Sequence, residues 1–176
     1  MLEIIIGVIV VISFLSFLFV IYDNKFQLAI IKIDKAEEDI DIYLQKKKGL
    51  LDRCRPIIQK ELKIQDCLEG LDDSFEHKNN FETHMTLKKI YNDLFRTLDE
   101  NEKLFKSESL CAILEELNNN EENIVGAIKF YNDTVVEFNR LIVSFPSKIV
   151  AWIKRYSKKD FYNNEKREIF EILNQK

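Results

Sequence analysis

Residues 110–145 read LCAILEELNNNEENIVGAIKFYNDTVVEFNRLIVSF. Within this stretch Leu110, Leu114, Leu117, Glu121, Ile124, Ile128, Tyr131, Val135, Phe138, Ile142 and Phe145 recur at steps of three and four. That spacing puts side chains on one face of a helix, on the seam where helices pack. About five heptads at about 1.5 Å of rise per residue make a rod of roughly 50 Å. Asn118, Asn119 and Asn120 lower helix propensity without shifting the phase, so one helix is expected across them. It ends at Phe145, because the residue before Pro146 avoids the helical region. A rod with one apolar face needs other helices to cover it.

Upstream, Ser107 is placed to cap this helix. A second helix is expected over 82–105, with Leu87, Tyr91, Leu94, Leu98 and Phe105 as its stripe. Residues 69–80 (EGLDDSFEHKNN) are polar and read as a loop, with Gly70 as a helix stop. Before them Phe26, Ile30, Ile33, Ile40, Leu44 and Leu51 mark a first helix whose seam also passes through Glu37 and Lys47. Pro56 lies inside the continuing pattern of Cys54, Ile58, Leu62 and Gln65, where it should kink or restart the helix. Downstream, Pro146 can occupy the first turn of a new helix through Lys148 to Tyr156, and a last short helix is expected over 164–174.

At the N-terminal end, residues 4–22 read IIIGVIVVISFLSFLFVIY, without a charge. As a helix this segment is about 28 Å long, against a hydrocarbon thickness of roughly 30 Å. A secretory signal fits less well: Met1, Leu2 and Glu3 supply no basic region, and Val20-Ile21-Tyr22 is too bulky for a cleavage site. An uncleaved anchor is therefore expected, with Tyr22 at headgroup level. Lys25, Lys32 and Lys35 follow it and no Lys or Arg precedes it. The positive-inside rule then places the N-terminus outside and the large domain in the cytoplasm, as a single-pass protein of the cell membrane. Nothing between anchor and first helix stops a helix. The expected fold is all-α: an N-terminal transmembrane helix (1–22) continuing into an elongated antiparallel bundle (23–176) of three long helices plus a fourth C-terminal element.

Composition agrees. Of 176 residues only four are Gly and two Pro, which favours long helices over strands and turns. The net charge of −4 gives no global field for nucleic acid. Cys54, Cys67 and Cys111 form no disulfide framework and no zinc-type pair, and read as reduced thiols.

At the third helix the sequence resembles the LemA family. Tyr131-Asn132-Asp133-Thr134-Val135, Phe138-Asn139, Ser144-Phe145-Pro146-Ser147 and Ala151 are similar to its signature, roughly YNdaVxxYN…sFPsnxxA. Glu115-Glu116-Leu117, Glu121 and Ile124 are similar to its EEL…EnxI stretch, with Ser107-Glu108 and Leu110 fitting the segment before it. Tyr22-Asp23-Asn24, Ile40-Asp41-Ile42, Leu44, Lys46-Lys47 and Leu50-Leu51 match more loosely. Gly49, Asp52-Arg53-Cys54 and Ile128 depart from the usual residues, as in a divergent member. The resemblance implies a membrane-anchored helical bundle and no particular reaction.

No phosphate loop, nucleophile motif or dinucleotide fingerprint is present, and no residue is assigned to catalysis, a cofactor or a metal. Glu121, Glu37 and Lys47 sit at seam positions, where a charge needs a partner. Tyr131-Asn132 and Phe138-Asn139 place two aromatics on the seam, each with an asparagine expected to hydrogen-bond across a helix interface. The Asn132-Asp133-Thr134 glycosylation sequon is discounted because it falls mid-helix. His77 and His84 flank Glu82 without the spacing of a helical metal pair. Residues 148–159 combine Ile149, Val150, Trp152, Ile153 and Tyr156 with Lys148, Lys154, Arg155, Lys158 and Lys159. They read first as a bundle cap with Trp152 in the core. The alternative makes Trp152, Lys154, Arg155, Lys158 and Lys159 a contact for a membrane surface or an acidic partner.

The expected function is a non-enzymatic interaction or scaffold module, bound to the bilayer through residues 4–22 and to other membrane-associated proteins, with homo-oligomers formed through exposed seams. The alternative is an enzyme or metal site within the bundle, with Glu37 and Glu121 as its candidates. A pore built from the anchor is disfavoured because the span has no ionisable residue.

Overall fold

The computed structural model describes residues 1–62, 68–75, 79–101, 104 and 107–162. Among them the chain is all helix and connection: α1 (Leu2–Leu62), a short 3-10 turn (Asp72–Phe75), α2 (Asn80–Asp99), α3 (Glu108–Val143) and α4 (Ser147–Lys154). The last short helix expected over 164–174, and Phe105 and His77, lie outside the described residues.

α1 carries two different surfaces. Over residues 2–17 every side chain is exposed, and this is the one described helix long and apolar enough to cross a membrane. From Phe26 onward it is one-sided: Phe26, Ala29, Ile33, Ala36, Ile40, Leu44, Lys47, Leu51, Cys54 and Ile58 are buried. The seam thus runs through Ala29 and Ala36, not Ile30 and Glu37. Ile30 is half-buried and Glu37 is exposed, because a neighbouring helix can approach closely only where the side chain is small. Pro56 does not restart the helix, which continues to Leu62. The hydrogen bond that proline forfeits falls on the solvent side, Pro56 being exposed. Buried Cys54 and Ile58 hold the turn on both flanks.

α2 begins where Asn79 accepts a hydrogen bond from the Glu82 backbone N–H at 2.9 Å, a side-chain cap that satisfies one of the orphan donors of the first turn. It ends at Asp99, short of the expected 105. α3 begins at Glu108 with the Leu110 N–H directed to the Ser107 hydroxyl at 3.4 Å. It passes through Asn118–Asn120 unbroken.

The fold divides into two compact units. The first combines Met1–Ala36 with Phe130–Lys176, the second is Glu37–Lys129. In the second unit residues 68–75 are more than a loop. Leu68, Leu71 and Ser74 are buried, Arg55 pairs with Asp72 at 3.2 Å, and the Lys48 ammonium lies 5.6 Å from the Phe75 ring centre. Asn80 then reaches the Glu37 carbonyl at 3.5 Å. Residues 68–75 therefore lie back along α1, and α2 starts beside Glu37. α3 runs antiparallel to both helices, with Arg53 facing Glu116 and Lys47 facing Glu121 on α1 and Tyr91 facing Asn118 on α2. In the first unit α3 is again antiparallel to α1, with Phe26 against Phe138.

Candidate functional site

Three groups of residues carry chemistry. The first is a polar layer in the unit Glu37–Lys129. Lys47 is fully buried and its ammonium donates to Glu121 Oε2 at 2.5 Å, with the Tyr91 ring centre 4.8 Å away. Burial pushes the Lys47 ammonium below its ordinary pKa, against the opposing pull of Glu121. His84 is pushed down by burial and then by the charge of Lys47, and the Tyr91 phenol is pushed up by burial and then by Glu121. Beside this layer Asn120 is buried and donates to the Tyr43 carbonyl at 2.9 Å. Glu37 is not part of it. Among the described residues no group of three His, Cys, Asp or Glu side chains is arranged to hold a metal ion.

The second group is an asparagine clamp in the other unit. Asn139 donates its amide to the Lys159 carbonyl and accepts the Lys159 N–H, each at 2.9 Å. One heptad earlier Asn132 accepts the Tyr162 N–H at 2.9 Å, and the Tyr131 hydroxyl donates to the Asp160 carbonyl at 3.1 Å. The expectation of bonds across a helix interface is corrected: both asparagines hold the non-helical segment that follows α4. A side-chain amide offers the same donor and acceptor pair as a peptide group, so it can stand in for a neighbouring strand. Burial of Tyr162 in this clamp raises its phenol well above the ordinary value.

The third group is the surface of α4 and what surrounds it. Ser147, Val150 and Ala151 face inward. Lys154 reaches Asp23 Oδ2 at 3.2 Å, and its ammonium stands 6.0 Å from the Phe19 ring centre. Trp152 is 81% exposed, not tucked into the core as the cap reading required, and Ile149, Ile153 and Phe145 are exposed with it. At about 100° per residue, Ile149, Trp152 and Ile153 fall on one arc and the buried residues on the opposite one. α4 ends at Lys154, earlier than expected. Arg155 turns left-handed at φ 57° and the Tyr156 N–H returns to the Ala151 carbonyl at 3.0 Å, which satisfies an end carbonyl and stops the helix. Lys158 and Lys159 are consequently off the helix, exposed on the clamped segment. Phe145, assigned to the seam of α3 by its spacing, lies beyond the helix end and points outward. Its position immediately before Pro146 was the signal.

Tyr156 ties α4 to α1. Its ring packs on Phe26 at 4.9 Å and Phe138 at 6.1 Å between centres. Its hydroxyl lies 3.4 Å from Asp23 Oδ1 and accepts from Gln27 at 2.8 Å. Next to it a groove of about 380 Å³ opens between α1 and α3. Lys25, Lys32 and Arg140 line it with a single carboxylate, Glu137, and Phe145 and Ser147 line it as well.

The clamp accounts for the spacing of Tyr131-Asn132 and Phe138-Asn139, and the model of the LemA family matches residues 36–172, which contain it. The chain belongs to the LemA family. The match covers α2, α3, α4, the clamped segment and the one-sided part of α1 from Ala36 on. It does not cover the apolar N-terminal stretch, which stands before the LemA region. No curated protein matches the chain.

Proposed function

We propose that this LemA-family chain is a single-pass membrane protein whose helical bundle acts as a non-enzymatic interaction module at the membrane surface. The observation that carries the reading is the start of α1: an apolar helix exposed all round, with no protein cover, joined to the bundle without a break. Burying that surface in lipid removes it from water at about 25 cal/mol for each Å², and the unbroken helix leaves no backbone group unsatisfied in the bilayer. The excess of Lys25, Lys32 and Lys35 on the bundle side favours an N-terminus outside and a bundle in the cytoplasm. Partners are other membrane-associated proteins, with a second copy of the chain among them.

Carbonate washing of membranes tests the anchor, and the full-length chain is expected to stay in the pellet. Crosslinking in intact membranes tests the module, and reproducible adducts are expected. Release by carbonate ends the anchor reading, and an absence of adducts ends the interaction reading. The alternative, a reaction centre inside the bundle, would draw on the polar layer of Lys47, Glu121, Tyr91 and His84. It predicts loss of cellular function in a folded K47M/E121L chain, whereas an interaction module tolerates that exchange.

A further inference from the structure

We propose that α4 is a second membrane contact, lying in the lipid interface beside the point where α1 leaves the bilayer, with a preference for anionic lipid. The proposal rests on α1 being an anchor and adds where the bundle touches the membrane and through which residues.

Position comes first. The apolar span ends near Tyr22, and α4 is pinned at that height: Lys154 contacts Asp23 and overhangs the Phe19 ring, and Tyr156 reaches the same Asp23. A helix so tied cannot leave the neighbourhood of the headgroups while the bundle stays folded.

Surface chemistry comes second. The face of α4 turned away from the protein presents Ile149, Trp152 and Ile153, and Phe145 stands at its N-terminal side, exposed by 47, 81, 52 and 77% respectively. Large apolar groups in one contiguous exposed patch mark a contact surface, and an indole is the side chain best suited to a boundary that is apolar on one side and wet on the other. Around them Lys148, Lys154, Arg155, Lys158 and Lys159 are five cations, and residues 145–159 contain no Asp or Glu. Of these, Lys154 is engaged by Asp23, and Lys148, Arg155 and Lys159 are exposed cations of the kind that attract anionic headgroups.

Affinity comes third. Eight residues bind a bilayer weakly alone. Here the anchor makes the contact intramolecular, and the resulting effective concentration lets a weak contact remain formed.

Trp152 is the single tryptophan of the chain, so it reports on the site without labelling. The full-length chain is reconstituted in nanodiscs of phosphatidylcholine, with and without phosphatidylglycerol, and compared with the same discs containing brominated acyl chains. Expected are a blue-shifted emission and loss of most of the fluorescence to brominated lipid, both larger with phosphatidylglycerol. I149S/I153S should return the emission to that of a water-exposed indole with the helical circular dichroism unchanged. K148Q/R155Q/K159Q should remove only the response to anionic lipid. Emission of a water-exposed indole, unquenched in either lipid, overturns the proposal. So does a blue shift that grows with the number of copies per disc and ignores bromine, which assigns the face to a second copy. Carbonate resistance of the same preparations keeps these results separate from failure of the anchor.

Discussion

The two units of this chain close the same kind of seam with opposite chemistry. In Glu37–Lys129 the seam of α1 passes through a buried charge, Lys47, held by Glu121 and roofed by Tyr91. In the unit of Met1–Ala36 and Phe130–Lys176 it passes through Phe26, packed edge-on to Phe138 and tilted against Tyr156, without a charge at the centre. A buried ion pair adds little net stability because desolvation offsets attraction, but breaking it is costly. An aromatic cluster stabilises through area and ring geometry and is broken by loss of volume. The unit of Met1–Ala36 and Phe130–Lys176 is therefore sensitive to volume, and Glu37–Lys129 to the loss of one charge without the other.

Substitutions can break this contrast, and the chain in detergent micelles, unfolded by denaturant and followed by circular dichroism, reads each of them. The largest effect is expected for Phe138→Ala, a loss of about 3–5 kcal/mol. Glu121→Ala should cost about 3 kcal/mol by stranding the Lys47 ammonium, whereas the double exchange K47M/E121L should cost less than Glu121→Ala alone. If the single and double exchanges are equally harmful, the charge is not what matters at that layer. Asn139→Ala should cost about 1–3 kcal/mol, since it removes two hydrogen bonds and leaves the Lys159 main chain unpaired. It should also raise the protease sensitivity of the segment after α4 while leaving the melting of the ion-pair layer unchanged.

The smallest expected effect is on pH. The proton affinity of His84 in the folded chain lies below its ordinary value of 6.5, so on acidification the unfolded chain takes up the proton first. Stability from this group is complete above about 6.5 and is lost as pH falls through the lower folded value. His84→Gln should flatten the acid limb of a stability–pH curve, and an unchanged slope would remove His84 from the polar layer.

Much of this was legible beforehand, for reasons that differ by residue. The seam of α3, the cap at Ser107 and the break at Pro146 follow from spacing and from backbone chemistry that acts within a few residues. Ala29 and Ala36 escape the spacing argument because a pattern of bulky residues does not reveal where a neighbour comes close. The return of residues 68–75 along α1 depends on Arg55, Lys48 and Asp72 meeting across the fold, which no local pattern encodes. The asparagine pair was visible as a repeat, but its partners are main-chain groups, and main-chain groups have no sequence signature. Trp152 is ambiguous in sequence because an indole satisfies the rules for a core and for a lipid boundary equally well, and only the packing of Val150 and Ala151 decides which way α4 faces.

The way Asn139 grips residue 159 has an evolutionary consequence. Both of its bonds end on atoms that every amino acid possesses in common, as do those from Tyr131 to residue 160 and from Asn132 to residue 162. The track on which this ribbon lies is thus indifferent to what the ribbon displays. Outward-pointing chemistry at 158–160 is free to drift from basic to neutral or acidic, retuning the surface while the path of the chain stays put.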